Sequence, residues 1–68
     1  MKNLIKVERA RNDLSQAALA EKVNVTRQTI HAIEKGRFVP STALALKISF
    51  VLKIKVDELF ELEKGDWK

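Results

Sequence analysis

The segment Gln16–Lys35, QAALAEKVNVTRQTIHAIEK, constrains the fold of this chain more than any other stretch. Read as helix, short turn and helix, it puts each apolar or small residue where two steeply crossing helices need one. Leu19, Ala20 and Val23 share a face at i, i+1 and i+4 spacing, Ile30 and Ile33 repeat the pattern, and Val25 lies in the connection. Ala20 falls where the helices must nearly touch, so a small side chain is required there. Asn24 opens the turn at a position that requires φ > 0, which asparagine tolerates better than other non-glycine residues. Thr26 supplies an N-cap for the second helix and Ser15 one for the first. Six such features in one register predict a helix-turn-helix, a unit suited to docking on DNA.

The rest of the sequence excludes several competitors. Sixty-eight residues make one domain, whose core is marginal without efficient helix packing or oligomerisation. With no cysteine there is neither a disulfide framework nor a thiolate metal site, and His31, the single histidine, has no partner with which to ligate a metal. No cofactor is expected. The longest apolar run, Ile48–Leu52, is broken by Ser49 and too short for a bilayer. Lys6, Glu8 and Arg9 interrupt any signal-peptide-like core at the N-terminus, so the expected location is cytoplasmic.

Charge is unevenly placed. Eleven of the 13 basic residues but four of the nine acidic ones lie in Met1–Lys55, giving that stretch +7 and the remainder −3. Lysines can simply solvate a small protein. Together with the motif, a basic body with an acidic end suits a module that faces a polyanion with one side.

Along the chain, Leu4, Ile5, Val7 and Ala10 form a helical apolar stripe, ended at Asn12-Asp13, one of which takes the left-handed position usual for glycine. Leu14 stands like the outer member of a hydrophobic staple. Gly36 stops the helix-turn-helix, Pro40 makes Arg37–Pro40 a loop, and Ser41 caps a helix with Leu44, Ala45, Ile48, Val51 and Leu52 inward. A short helix, Val56–Phe60, follows, and Glu61–Lys68 reads as either a short strand or a frayed tail. The predicted core centres on Leu19, Val23, Ile30, Ile33, Leu44, Ile48 and Leu59. The expected architecture is all-α, five helices in one domain over residues 1–68, with a possible two-stranded ribbon from the termini.

At Ser15-Gln16, Val25–Ile30, Ile33–Gly36, Pro40-Ser41, Ala45–Ile48 and Asp57–Phe60 the chain resembles the phage-repressor and Cro-like (Xre) family of helix-turn-helix regulators, especially its short stand-alone members. The resemblance covers Ile5–Phe60. It implies a five-helix domain that binds double-stranded DNA as a homodimer, with the second helix of the motif in the major groove. Asp13 and Asn24 stand where members often have glycine, and Glu8 where many have an apolar residue. The resemblance also implies that Arg9 and Glu34 form an internal ion pair; the alternative is two exposed charges of little consequence.

With Thr26 as N-cap, Arg27, Gln28 and Thr29 occupy the first turn of the recognition helix, the part that reaches base edges. Arginine pairs bidentately with guanine and glutamine with adenine, so Arg27 and Gln28 lead the candidates for readout. By the family pattern Ala32 faces the groove one turn on, where its methyl meets a thymine. His31 faces the groove, a phosphate or only solvent. Gln16, beside the N–H groups that open its helix, is a candidate phosphate contact. So are Thr26, Lys35 and Arg37; for the last two the alternative is a solvated helix end.

Catalysis needs converging nucleophiles or acid–base groups, and this chain has one histidine, no cysteine or tyrosine, and serines at predicted caps; an enzyme is not expected. A transcriptional repressor on a palindromic operator is the leading reading, and an antitoxin or protein-interaction module the alternative. A homodimer is expected through Leu59, Phe60 and Leu62; alternatively Leu59 and Phe60 complete the monomer core while Leu62 and Trp67 fray.

Overall fold

A computed structural model describes residues 1–68. Five helices, α1 (Ile5–Arg11), α2 (Gln16–Lys22), α3 (Arg27–Glu34), α4 (Thr42–Leu52) and α5 (Val56–Leu59), are joined by a ribbon of β1 (Lys2–Asn3) and β2 (Phe60–Glu61). The ribbon is antiparallel, with Lys2 opposite Glu61 and Asn3 opposite Phe60. The last helix is therefore one residue shorter than expected, because Phe60 turns extended to pair with Asn3. No helix is long and apolar enough to cross a membrane.

The three helix starts with hydroxyl caps form as their side chains dictate. Ser15 Oγ accepts from the Ala18 N–H at 3.0 Å, Thr26 Oγ1 from Thr29 at 3.3 Å and Ser41 Oγ from Leu44 at 3.2 Å. Helix ends follow one device, repeated four times. Asp13, Asn24, Gly36 and Lys53 take left-handed φ values of 55°, 62°, 74° and 60°. The next residue in each case donates its N–H five residues back: Leu14 to Arg9, Val25 to Ala20, Arg37 to Ala32 and Ile54 to Ser49. Leu14, Val25 and Ile54 then fold back onto the core.

That core comprises Ile5, Leu19, Ala20, Val23, Ile30, Ile33, Ile48, Leu52 and Leu59, all essentially inaccessible. Of the expected centre only Leu44 lies at its edge, packed against the cluster and half-buried, while Ile5 and Leu52 join it. The expectation for α1 fails more fully. Its inward line is Ile5, Glu8 and Asn12, whereas Leu4, Val7 and Ala10 face out. Helical spacing holds, but polar residues occupy the buried side. Asn12 explains one of them: its amide donates to the Glu8 carbonyl at 2.8 Å and the Leu52 carbonyl at 3.0 Å, tying the end of α1 to that of α4. The buried Glu8 carboxylate lies 3.5 Å from Arg11.

The tail is ordered rather than frayed. After β2 it makes a 3₁₀ turn, Lys64–Trp67, with the Glu63 N–H donating to Asp66 at 2.7 Å. The N-terminal ammonium reaches Glu63 at 2.9 Å and Asp66 at 3.2 Å. The Glu63 and Asp66 carboxylates raise the ammonium pKa above its usual value, and Asp66 is held below its own, first by the Glu63 N–H and then by the ammonium.

A lysine with a left-handed backbone is strained by about 1–2 kcal/mol, since its Cβ crowds the following carbonyl. Lys53→Gly removes that Cβ and should stabilise the protein by about 1 kcal/mol after glycine's extra unfolded-state entropy is deducted. Thermal unfolding with a lowered midpoint for Lys53→Gly would contradict this.

Candidate nucleic-acid interface

The inward face of α3 holds Ile30 and Ile33 in the core, which turns Arg27, Gln28, His31 and Lys35 to the opposite side, all exposed. Thr26 fixes where this face begins. Its hydroxyl caps the helix and lies 3.1 Å from the Thr29 hydroxyl, so Thr29 is half-buried and partly committed to the cap. Arg27 and Gln28 extend from the first turn without that restraint. Ala32, half-buried, lies one turn beyond Gln28. Past Gly36, Arg37, Phe38 and Val39 form an exposed loop before the buried Pro40.

Beneath this face runs a polar network. Arg9 and Glu34 form a two-pronged ion pair, Nε to Oε2 at 2.7 Å and Nη2 to Oε1 at 3.2 Å, with both side chains largely buried. The remaining Arg9 Nη1 donates to the Leu14 carbonyl at 3.0 Å. Gln16, the first residue of α2, donates its amide to Glu34 at 3.1 Å and accepts from Arg27 Nη1 at 3.5 Å. The same amide lies 3.4 Å from His31 Nδ1. Asn3 adds a link from the N-terminal strand, donating to the Ile33 carbonyl at 2.9 Å while accepting from the Ile5 N–H at 3.2 Å.

The structure thus gathers most of the residues singled out in the sequence. Arg27, Gln28, Thr29 and Ala32 share the recognition helix, Thr26 opens it, and Lys35 and Arg37 flank its end. Gln16 faces them from α2, but its amide already serves the protein's own network. Lys6 was not anticipated: with Arg9, Arg27, Lys35 and Glu34 it lines a hollow bordered by no hydrophobic residue. Its spacing of three from Arg9 on α1 was the available signal. Of the residues expected at a dimer contact, Leu59 is core, Phe60 is half-buried and Leu62 is 53% exposed, so Phe60 and Leu62 have surface to offer. No group of three or more His, Cys, Asp or Glu side chains is placed to hold a metal.

A family model described as helix-turn-helix (HTH_3) matches residues 5–59. The chain belongs to this family. An uncharacterised HTH-type transcriptional regulator of Bacillus subtilis, YgzD, is 53% identical over 64 residues, 94% of this chain and 97% of that protein. Another from Methanocaldococcus jannaschii is 48% identical over 66 residues, covering 97% of this chain and all of that one. Among solved structures, the restriction-modification controller protein C.AhdI of Aeromonas hydrophila superposes with a TM-score of 0.75 at 30% identity, over 82% of this chain and 85% of that one. The protein is a DNA-binding regulator of the Xre type.

Removing either partner of a largely buried ion pair strands the other charge, at a cost of about 3–5 kcal/mol when burial is complete. Arg9→Ala and Glu34→Ala should each lose roughly 3 kcal/mol of stability, with a double-mutant coupling of about 1–3 kcal/mol. A coupling near zero would show the pair to be energetically idle.

Proposed function

We propose that the protein is a sequence-specific repressor that binds a palindromic double-stranded operator in the cytoplasm as a homodimer. The observation that carries this reading is the exposed first turn of α3, where Arg27 and Gln28 extend from a helix anchored on its other side by core and ion pair. Arg27 and Gln28 read guanine and adenine edges in the major groove, with Ala32 against a thymine methyl and Thr29 supporting through its hydroxyl. Gln16, Thr26, Lys35 and Arg37 hold phosphates on either side and set the register. Gln16 does so with the amide hydrogen not given to Glu34. The positive net charge of the chain supports the assignment by attracting the polyanion, and accounts for no specificity.

Gln28→Ala should weaken operator binding by roughly 1–3 kcal/mol and relax preference at one base pair, leaving random-DNA affinity nearly unchanged. Lys35→Ala should weaken both alike and lower the slope of log K against log salt by about 0.9. Titrations of both variants against operator and random duplexes separate the roles. Equal losses on both duplexes for Gln28→Ala would remove it from base readout.

One recognition helix reads only a few base pairs, and two half-sites about 34 Å apart multiply that selectivity. Phe60 and Leu62 support a C-terminal contact, since Leu62, just after the short strand β2, is an apolar residue left half in water. Sedimentation equilibrium at micromolar concentration should give a dimer that Leu62→Glu dissociates without unfolding it. A monomeric parent protein would refute the dimer.

A further inference from the structure

The polar hollow beside the recognition helix holds more positive charge than base reading uses. Lys6 and Arg9 stand one turn apart on α1, and the hollow joins them to His31 and Lys35 on α3. Its one carboxylate, Glu34, is committed: Arg9 takes both its oxygens and the Gln16 amide shares one of them. Lys6, Arg27 and Lys35 form no salt bridge, since the ion pairs of the chain belong to Met1, Arg9 and Arg11. Lys35 also borders Glu61 and Glu63 on its other side, whereas Lys6 and His31 do not. A hollow so lined suits a phosphate, because no apolar side chain is present to receive a base or a sugar.

Hydrogen bonding gives His31 a second part to play. The Glu34 carboxylate only accepts, so it is the amide nitrogen of Gln16 that faces it. His31 Nδ1, 3.4 Å from that same nitrogen, can join it only as an acceptor, which puts the hydrogen of the neutral ring on Nε2. The neutral ring thus engages the amide hydrogen that Gln16 has left for a phosphate. A proton on Nδ1 ends that contact, releases the Gln16 hydrogen and makes both ring nitrogens donors. The charged groups around the ring are Arg27 and Lys35 on its own helix, Lys6 and Arg9 on α1, and Glu34, which Arg9 neutralises. A phosphate set among these cations favours a further proton on the ring, so phosphate binding and protonation support each other.

We propose that this hollow holds a backbone phosphate of the DNA through Lys6 and His31, and that His31 takes up a proton in doing so. This rests on the DNA-binding reading and extends the contact surface from the helix-turn-helix to α1.

The test uses the full chain and duplexes carrying one neutral methylphosphonate at successive positions, with circular dichroism to verify folding. Lys6→Ala should weaken operator and random DNA alike, roughly 8-fold at about 0.1 M salt, because one lost contact removes about 0.9 from the slope of log K against log salt. Lys6→Arg should retain binding. One methylphosphonate should weaken the parent protein yet cost Lys6→Ala nothing further. Parent affinity should rise as pH falls from about 8 to about 6, where histidine takes its proton, by at most about tenfold per pH unit. His31→Gln, which removes the only histidine, should flatten that rise. An unchanged salt slope in Lys6→Ala, or no methylphosphonate at which the two proteins converge, would overturn the phosphate site and leave base readout by Gln28 standing. A pH profile shared by the parent and His31→Gln would overturn the proton uptake. A parent protein that binds no duplex at low salt would overturn both this site and the DNA-binding reading.

Discussion

Glu34 is the joint between scaffold and reading helix. Its backbone belongs to α3, while its carboxylate takes N–H groups from Arg9 on α1 and Gln16 on α2, so one side chain sets three helices against each other. The energetic case for such a group is weak as stability alone, because desolvating two charges consumes most of what their attraction returns. Its worth is positional. Gln16 passes the constraint on to Arg27 and stands beside His31, so a chain of bonds starting in the interior ends at residues facing outward. Under the proposed base readout, a guanidinium that leans on Gln16 has less freedom to lose on binding than one free in solvent.

That arrangement requires short, stiff connections. Four of them are made by the same left-handed residue and backward hydrogen bond, and they differ in how visible they are in the sequence. Asn24 and Gly36 are residue types that accept φ > 0, and Asn12-Asp13 narrows the first turn to two positions. The structure chooses Asp13, which frees the Asn12 amide to bridge α1 and α4. Lys53 announces nothing, since lysine has no local preference for that conformation. It is imposed from outside: Ile54 must double back onto the core just after Leu52 leaves it, and the residue between bears the strain.

Helix α1 shows the opposite limit. Its period was legible and its direction was not, because polarity is a guide to burial only where buried polar groups lack partners. Glu8, Arg9 and Asn12 have theirs on Arg11, Glu34 and Leu52, and two of these partners lie 25 and 40 residues away in sequence. Long-range satisfaction of that kind leaves no local trace. The recognition helix was legible for the converse reason: Thr26 caps it through a contact three residues long, and that alone determines that Arg27 and Gln28 lead. Gln16 illustrates both cases, its place at the start of α2 following from Ser15, its engaged amide following only from how α2 and α3 pack.

A nine-residue core cannot absorb all the apolar side chains of this chain. Those left outside fall in the loop after α3 (Phe38, Val39), on α1 (Leu4, Val7), on α4 and in the tail. The tail poses an electrostatic difficulty, because Glu61 and Glu63 border the same hollow as Lys35, at the end of the recognition helix. Under the proposed phosphate role of Lys35, free carboxylates bordering the same hollow would oppose it. The ammonium of Met1 offsets this by pairing with Glu63 and Asp66, and Lys2 lies across the ribbon from Glu61. Pairing β1 with β2 therefore does more than close the fold. It places cations beside the acidic end and so lowers the negative charge next to Lys35.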